Sequence, residues 1–265
     1  MKLYIQSFIV LILVSLPVFA ADTSDKTGTN PINFTNDFRL YNEYLWLDTE
    51  GDGNINITTA EYRTPFLGGK WQFRTRIRFV ETKADLNDDG DDDLDTNGLG
   101  EIDFRVLTVP IVKMEDKFAL AVGLETFLPT GNSVVGSERL SFGPQIFGVF
   151  FNPFGIKGSL IAPAYQHRFS VYEEDDVRSL NQSALDLFFL KQSDDKQKWV
   201  LVNPQYIVDH NLHTQGGAVE AEMGVMLNHL GFNLDGRSVY VRPSIGIGPD
   251  RLTDGSIELG WKQIW

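Results

Sequence analysis

The sequence predicts an all-β fold: a transmembrane, up-and-down antiparallel β-barrel of about twelve strands, with both termini in the periplasm. Near the C-terminus residues 256–262 alternate strictly, so that Ile257, Leu259 and Trp261 share one face and polar side chains or glycine share the other. Apolar residues toward lipid that alternate with polar residues toward a lumen are typical of membrane barrels. A candidate export signal at the N-terminus and a regular alternation of long and short connections predict the same fold.

The N-terminus has the pattern of a secretory signal peptide. Lys2 precedes an apolar stretch over residues 3–16, and the small side chains of Val18 and Ala20 predict cleavage after Ala20. The chain then divides into a signal peptide (1–20), a short mobile periplasmic N-terminal tail (21–33) and an outer-membrane β-barrel (34–265). Export combined with a barrel-closing strand predicts the outer membrane of a Gram-negative bacterium.

The composition narrows the range of partners. The chain carries a formal net charge of −13 at pH 7 and contains no cysteine. An acidic surface argues against nucleic-acid partners, which require basic patches. It suits divalent cations or cation-bridged lipopolysaccharide, and outer-membrane lipid is the partner expected for the apolar exterior of the predicted barrel. The absence of cysteine excludes disulfide and thiolate chemistry.

Twelve segments have strand character, and the connections between them alternate in length. Longer polar or acidic connections follow the odd-numbered strands, whereas tighter turns such as Leu67-Gly68-Gly69 follow the even-numbered ones. Long outer loops, short periplasmic turns and an even strand number are the pattern of these barrels. The predicted strands cover residues 34–47, 57–66, 70–82, 101–110, 117–128, 140–152, 156–172, 181–191, 198–209, 217–230, 237–247 and 255–265.

The third predicted strand places three arginines on one face. Arg74, Arg76 and Arg78 alternate with apolar residues from Trp71 to Phe79, and a polar barrel interior accommodates them. The alternative is a soluble lipocalin-like or sandwich protein whose polar face lies outside. The barrel prediction places further charged residues in the lumen: Asp103, Arg105, Glu125, Arg168, Asp186, Glu220, Glu222, Arg242, Glu258 and Lys262.

Two arrangements of these ladders are compatible with the sequence. The arginine ladder and the acidic pair Glu220 and Glu222 could flank a water-filled path, where a transverse field would select small polar or zwitterionic solutes. They could instead meet as salt-bridged plugs. A barrel of about twelve strands lies between filled barrels and wide channels, so the sequence leaves both open.

Several short motifs occur in a fixed order over the last two thirds of the chain. They are Asn97-Gly98-Leu99-Gly100-Glu101, Leu128-Pro129-Thr130-Gly131, Phe142-Gly143-Pro144, Val241-Arg242-Pro243-Ser244, Gly248-Pro249-Asp250-Arg251 and Glu258-Leu259-Gly260-Trp261-Lys262. In this order the chain resembles a family of proteobacterial outer-membrane barrels, the MetA-like proteins of phenol meta-cleavage pathways. Members usually carry Asp at the position of Glu101. The resemblance implies transport of solutes, with aromatic compounds as candidates, and assigns no chemical role to any motif residue.

Two acidic connections have the first half of a calcium-binding loop. Oxygen-bearing side chains alternate and a glycine occupies the sixth position. The twelfth position holds Thr59 in the first loop and Thr96 in the second in place of the bidentate Glu, which predicts weak Ca²⁺ binding at most, and no other cofactor is predicted. The alternative is a pair of solvated acidic loops. The candidate ligands are Asp48, Glu50, Asp52 and Asn54 in the first loop, and Asp85, Asn87, Asp89 and Asp91 in the second.

The C-terminal aromatic residue is a candidate assembly signal. Trp265 ends the chain, and the resemblance to other outer-membrane proteins implies that the barrel-assembly machinery reads such a residue. Two residues before it, Gln263 is polar, where an apolar residue is usual.

The predicted function is passive uptake of small solutes through the barrel, with aromatic or otherwise hydrophobic compounds as candidates. One alternative is an outer-membrane hydrolase that acts on lipid or peptide at the barrel rim, near Asp209, His210 and His213. No serine stands at a recognisable spacing from these residues, and His167 and Ser170 fall on opposite faces of one strand. An enzymatic role is therefore disfavoured. A second alternative is a structural or adhesive barrel.

Overall fold

The computed structural model describes residues 27–48, 53–84, 94–113, 115, 117–131 and 135–265. Within these ranges the chain forms strands and connections, with a single 3₁₀ turn at Pro153–Gly155. The strands are β1 (Asp37–Leu47), β2 (Gly53–Phe66), β3 (Trp71–Ala84), β4 (Leu94–Leu99), β5 (Asp103–Lys113), β6 (Phe118–Phe127), β7 (Arg139–Phe151), β8 (Ser159–Glu173), β9 (Asn181–Gln192), β10 (Lys198–Asp209), β11 (Thr214–Met226), β12 (Arg237–Ile247) and β13 (Thr253–Ile264).

The strands close into an antiparallel up-and-down barrel. Each strand pairs with its neighbours in the chain, except that β5 pairs with β3 and not with β4, and β1 pairs with β13 from Asp37 opposite Ile264 onward. Closure leaves the barrel wall without free sheet edges. The predicted all-β fold is therefore confirmed, as twelve strands in the closed wall plus one additional short strand. Both ends of the barrel domain lie beside the tight turns, which marks that end as the periplasmic one.

The additional strand, β4, was not predicted from the sequence. Residues 79–84 of β3, toward its outer end, pair with β4. Residues 71–76, toward its periplasmic end, pair with β5. A bend at residues 100–102 separates β4 from β5, and Thr130 fills it: the Thr130 hydroxyl donates to Gly100 O and accepts from Ile102 N, each at 2.9 Å. Asp, Asn and Gly have low strand propensity, so the composition of β4 predicts a loop.

The prolines interrupt the hydrogen-bonded ladders locally. Between Thr108 and Ile111 the β5–β6 register shifts, and Pro110 lies within this bulge. The β9–β10 register likewise skips Pro204, and the β11–β12 register skips Pro243. Proline has no N–H to donate, so Pro204 and Pro243 each lose pairing on one side, while Pro204 stays opposite Val219 and Pro243 opposite Ile257 on the other. The strand β11 ends at Met226, because residues 227–236 form a hydrogen-bonded turn. The corresponding predicted strand, residues 217–230, was therefore too long at its C-terminal end.

The two faces of the wall differ in chemistry as predicted. Ile77, Phe79 and Leu259 lie outside and are about half exposed, whereas Glu258 and Lys262 on the inner face are at most 3% exposed. This is the apolar-out, polar-in pattern of a membrane barrel. Among the described residues no helix is long and apolar enough to cross a membrane.

The N-terminal segment, residues 27–34, packs inside the periplasmic end of the barrel. Ile32 and Phe34 join a buried apolar cluster with Leu107, Phe147 and Trp199. Small inward residues on the surrounding strands, such as Ala119 and Ala162, leave room for the segment. The sequence predicted a mobile tail over residues 21–33. The described part of that range is instead held inside the barrel, because its apolar side chains find an apolar inner surface there.

Candidate functional site

A cavity of about 370 Å³ lies inside the barrel. Its volume falls within the range of about 300–1,000 Å³ that is usual for small-molecule sites. Charged side chains of β1, β2, β3, β5 and β6 line one side, and side chains of β9 to β13 line the other. Gly28, Thr29 and Pro31 of the N-terminal segment close it toward the periplasm.

The basic wall of the cavity is a network of arginines and carboxylates. It consists of Arg39, Arg63, Arg74, Arg76, Arg78 and Arg105 with Asp37, Glu61, Asp103 and Glu125. Arg76 donates to Asp103 at 2.9 Å and to Glu125 at 2.7 Å. Arg74 pairs with the same two carboxylates, and Arg78 lies 2.7 Å from Asp103. The arginine ladder therefore exists, but its charges are largely neutralised by acids of the adjacent strands.

Toward the outer end, Arg168 continues the charged lining. Its Nε donates to Ser141 at 3.0 Å, and its terminal nitrogen pairs with Glu101. The guanidinium carbon lies 3.7 Å above the ring of Phe127, a cation–π arrangement. The backbone carbonyl oxygen of Glu101 also accepts a hydrogen bond from the Arg78 guanidinium at 2.9 Å, which ties this cluster to the basic wall.

The acidic wall is centred on Glu222. It consists of Glu43, Asp186, Glu220, Glu222 and Glu258 with Arg242 and Lys262. Glu222 accepts hydrogen bonds from Lys262 at 2.9 Å, Arg242 at 2.7 Å and the indole N–H of Trp199 at 2.6 Å. Three donors, two of them cationic, therefore surround this buried carboxylate, and such partners lower the cost of burying its charge.

Two aromatic rings of the acidic wall pack over glycines of the neighbouring strands. Trp199 lies opposite Gly224, and Tyr240 lies opposite Gly260 in the strand register. A Cβ at either glycine would overlap the ring beside it. Packing a ring over a strand glycine is a known way to stabilise such a position. The Tyr240 hydroxyl in turn donates to Glu258 at 2.5 Å.

The other acidic residues are less tightly held. Glu220 lies 3.8 Å from Arg242. Asp186 accepts from Gln205 at 2.7 Å and has no cationic partner among the described residues. Glu43 accepts from Ser256 at 2.7 Å. This wall therefore keeps an excess of negative charge toward the cavity.

The arginine ladder and the acidic ladder do not meet each other. In the described residues each ladder pairs within its own wall, and the cavity lies between the two walls. This arrangement corresponds to the flanking alternative of the sequence analysis. The structure brings Arg74, Arg76, Arg78, Asp103 and Glu125 together on one side. On the other it brings together Glu220, Glu222, Arg242, Glu258 and Lys262.

Sequence reasoning missed part of the lumen. Asp37, Arg39, Glu61 and Arg63 complete the basic wall; Arg39 lies 2.8 Å from Asp37, and Arg63 lies 2.6 Å from Glu61. The alternation of charged residues with apolar ones in β1 and β2 was the available signal.

The hydrogen bonds that anchor the N-terminal segment were also not predicted from the sequence. Arg39 donates to Gly28 O at 2.8 Å, and Gln192 donates to Thr27 at 2.8 Å. These bonds hold the N-terminal segment in place.

A serine and two histidines meet on the outer surface near the outer rim. The Ser183 hydroxyl lies 3.1 Å from His167 Nδ1 and 2.9 Å from His210 Nε2. Ser183 lies on β9 and His210 directly follows β10, so they are brought together by strand pairing, and no spacing in the sequence predicts this contact. Asp209 does not orient His210; it accepts from the backbone N–H groups of Asn211 and Leu212.

The fourth histidine belongs to the periplasmic turns. His229 lies 3.8 Å from Asp195 in a neighbouring turn. Hydrogen bonds from the Ser193 hydroxyl and from Gln197 N lower the pKa of the exposed Asp195. Neither His229 nor Asp195 lines the cavity.

The calcium loops lie mostly outside the described residues. Glu50, Asp52, Asp85, Asn87, Asp89 and Asp91 are not described, and Asp48 pairs with Arg251 at 3.2 Å. Asn54 begins β2 beside Gly53. The described residues contain no group of three or more His, Cys, Asp or Glu side chains that could hold a metal. Weak Ca²⁺ binding in these loops stays a prediction.

The C-terminal tryptophan makes few contacts in the finished barrel. Trp265 is 63% exposed, and its ring stacks on Tyr62 with the centroids 6.4 Å apart. Its backbone N–H donates to Asn36 O at 3.1 Å. These contacts leave the assembly role a prediction.

The barrel is similar to solved outer-membrane proteins. An outer membrane channel from Pseudomonas putida F1 matches over 88% of this chain and 96% of its own, with a TM-score of 0.69 and 8% identity. The NanC porin matches over 85% and 98%, with a TM-score of 0.59 and 10% identity. The KdgM porin matches over 86% and 99%, with a TM-score of 0.51 and 9% identity. No family model and no curated protein sequence matches the chain. At these identities the similarity establishes the fold of outer-membrane barrels.

Proposed function

We propose that the protein is a passive channel of the outer membrane for small solutes. The observation that carries the proposal is the cavity of about 370 Å³ between a basic and an acidic wall, inside a closed barrel with an apolar exterior. Opposing charges across a narrow path create a transverse field that selects solutes by charge and dipole. A structural barrel would have no need of such an interior.

The location and partners follow from this proposal. Cleavage after Ala20 would release the barrel to the periplasm, where the barrel-assembly machinery would insert it with Trp265 as the signal. Outer-membrane lipid and lipopolysaccharide would then surround the apolar exterior. The resemblance to MetA-like proteins supports aromatic compounds as candidate solutes.

Liposome swelling tests the proposal directly. Purified protein in liposomes should speed the entry of small polar solutes over that of larger sugars, because the cavity is narrow. Boiled protein is the control. Swelling at the rate of protein-free liposomes, with the barrel shown to be folded, would contradict a channel and favour a structural or adhesive role.

A hydrolase at the rim is the second candidate, favoured by the contacts of Ser183. A serine hydroxyl that shares hydrogen bonds with histidines is a possible nucleophile and base. The described residues lack a carboxylate that orients either ring. Release of fatty acid from phospholipid micelles should then stop in Ser183→Ala and persist in the nearby control Ser179→Ala. Equal release by both, or none by the parent protein, would exclude this role.

A further inference from the structure

Three arginines stand side by side on adjacent strands of the basic wall. Arg63 pairs in register with Arg74, and Arg74 pairs with Arg105. Like charges directly opposite each other destabilise a sheet. The next row toward the outer end alternates in sign, along Arg39, Glu61, Arg76 and Asp103. Arg63, Arg74 and Arg105, here called the central arginine row, are therefore an exception within this wall.

The neighbouring acids leave part of this row without a partner. Glu125 lies opposite Arg105 in the register, but its oxygens accept from Arg74, from Arg76 at 2.7 Å and from Gln166 at 2.9 Å. Within the described part of the chain Arg105 forms no ion pair. The Nε atoms of Arg74 and Arg105 are buried and have no hydrogen-bond acceptor, which is an unfavourable state for a charged donor.

The row faces the cavity, and so does an apolar surface beside it. All three arginines line the cavity. Leu107, two residues beyond Arg105 on the same face of β5, lines it as well, together with Phe147 and Phe188. The cavity therefore presents cationic donors next to an apolar surface.

We propose that the central arginine row binds the carboxylate of a small organic anion whose aromatic or branched apolar part packs against Leu107, Phe147 and Phe188. The guanidinium group presents planar pairs of donors that fit a carboxylate. Asp186 and Glu220 line the opposite side of the cavity and repel a second carboxylate, so a monocarboxylate is preferred. The proposal rests on the proposed channel function, because the anion must reach the cavity from water.

Benzoate is the probe, and three comparators separate its features. Benzamide keeps the ring without the charge, acetate keeps the charge without the ring, and terephthalate adds a second carboxylate. Ligand-detected NMR on the purified, detergent-solubilised barrel measures binding without any need for current. We expect benzoate to bind at least tenfold more tightly than each comparator. Equal binding of benzoate and acetate, or of benzoate and benzamide, would overturn the proposal.

Variants locate the site. Arg105→Gln should weaken benzoate binding about tenfold, because a charge-assisted hydrogen bond is lost, and should leave benzamide binding unchanged. Phe188→Ala should weaken benzoate binding but not acetate binding. Arg251→Gln, in an outer loop, is the matched control and should bind like the parent. Unchanged benzoate affinity in both cavity variants would overturn the proposal.

Two further measurements distinguish the loss of benzoate binding from misfolding and from the loss of channel function. Heat modifiability on a denaturing gel shows whether Arg105→Gln is folded; if it is not, Arg105→Lys replaces it and should weaken benzoate binding because the planar donor pair is lost. Benzoate binding by a barrel that passes no solute would contradict the channel and support the site. Solute flux with no preference for benzoate would contradict the site alone.

Discussion

At the scale of residues, the lumen is organised around buried carboxylates that each serve several donors. Glu222 is the clearest case, since Lys262, Arg242 and Trp199 all donate to it. Lys262 is only 1% exposed, and its ammonium group also lies 4.5 Å from the ring centre of Tyr240 and 4.9 Å from that of Trp199. Without Glu222 this cation would be buried with no counter-ion.

The substitution Glu222→Gln should therefore lower the free energy of unfolding by about 3–5 kcal/mol, the usual loss when one partner of a buried ion pair is removed. Urea denaturation of the refolded barrel, followed by tryptophan fluorescence, measures it. Glu220→Gln is the matched control on the same strand and face, because Glu220 lies 3.8 Å from Arg242 and is partly exposed. Equal stability of the two variants would show that Glu222 is not the organising residue.

Sequence alternation predicted which of these residues face inward, but not how they pair. The positions of Arg74, Arg76 and Arg78 follow from a period of two along one strand. Their partners depend on the register between strands, which places Arg76 opposite Asp103 and brings Glu125 of β6 within reach of Arg74 and Arg76. Register is set by turns and bulges of the whole sheet, so no local pattern contains it.

At the scale of elements, the N-terminal segment acts as a partial closure of the periplasmic end. It is held by Ile32 and Phe34 in the apolar cluster and by hydrogen bonds from Arg39 and Gln192. Composition suggested a mobile tail because the range is rich in Thr, Asp and Asn. Composition does not reveal that Ile32 and Phe34 are buried in the apolar cluster inside the barrel, where they help to hold the segment.

Replacing both apolar anchors, as Ile32→Ser with Phe34→Ser, should release the segment and increase single-channel conductance in planar bilayers, by about twofold or more if the segment fills much of the opening. The control is Phe154→Ser, in a periplasmic turn where the ring is 92% exposed. A double variant with the conductance of the parent would show that the segment does not narrow the path.

At the scale of the whole molecule, the sequence was sufficient for the fold class and the barrel topology. Loop parity and the period-two alternation extend over the entire chain, so small errors at strand ends did not alter them. β4 and the bend at residues 100–102 were missed because Thr130, far along the chain, supplies the hydrogen bonds that permit the break. The cavity was likewise beyond reach, since its shape depends on all strands together.

Assembly is also a property of the whole molecule. Deleting Trp265 should lower the amount of membrane-inserted barrel several-fold and induce envelope stress, while the barrel that does form keeps about its parental stability, because Trp265 is 63% exposed. Trp46→Ala, which removes an exposed aromatic residue from the opposite rim, is the control. Normal insertion of the deletion variant in cells would rule out the assembly role.

The central claim, that ions pass between the two charged walls, is tested most directly by planar-bilayer recording under a KCl gradient. The parent protein should give discrete conductance steps. In Arg74→Gln with Arg76→Gln, the loss of two positive charges leaves Asp103 paired with Arg78 alone and Glu125 without an ion pair among the described residues, so the reversal potential should shift toward that of K⁺. An unchanged reversal potential and conductance in a folded variant, or silence from both proteins, would contradict the account.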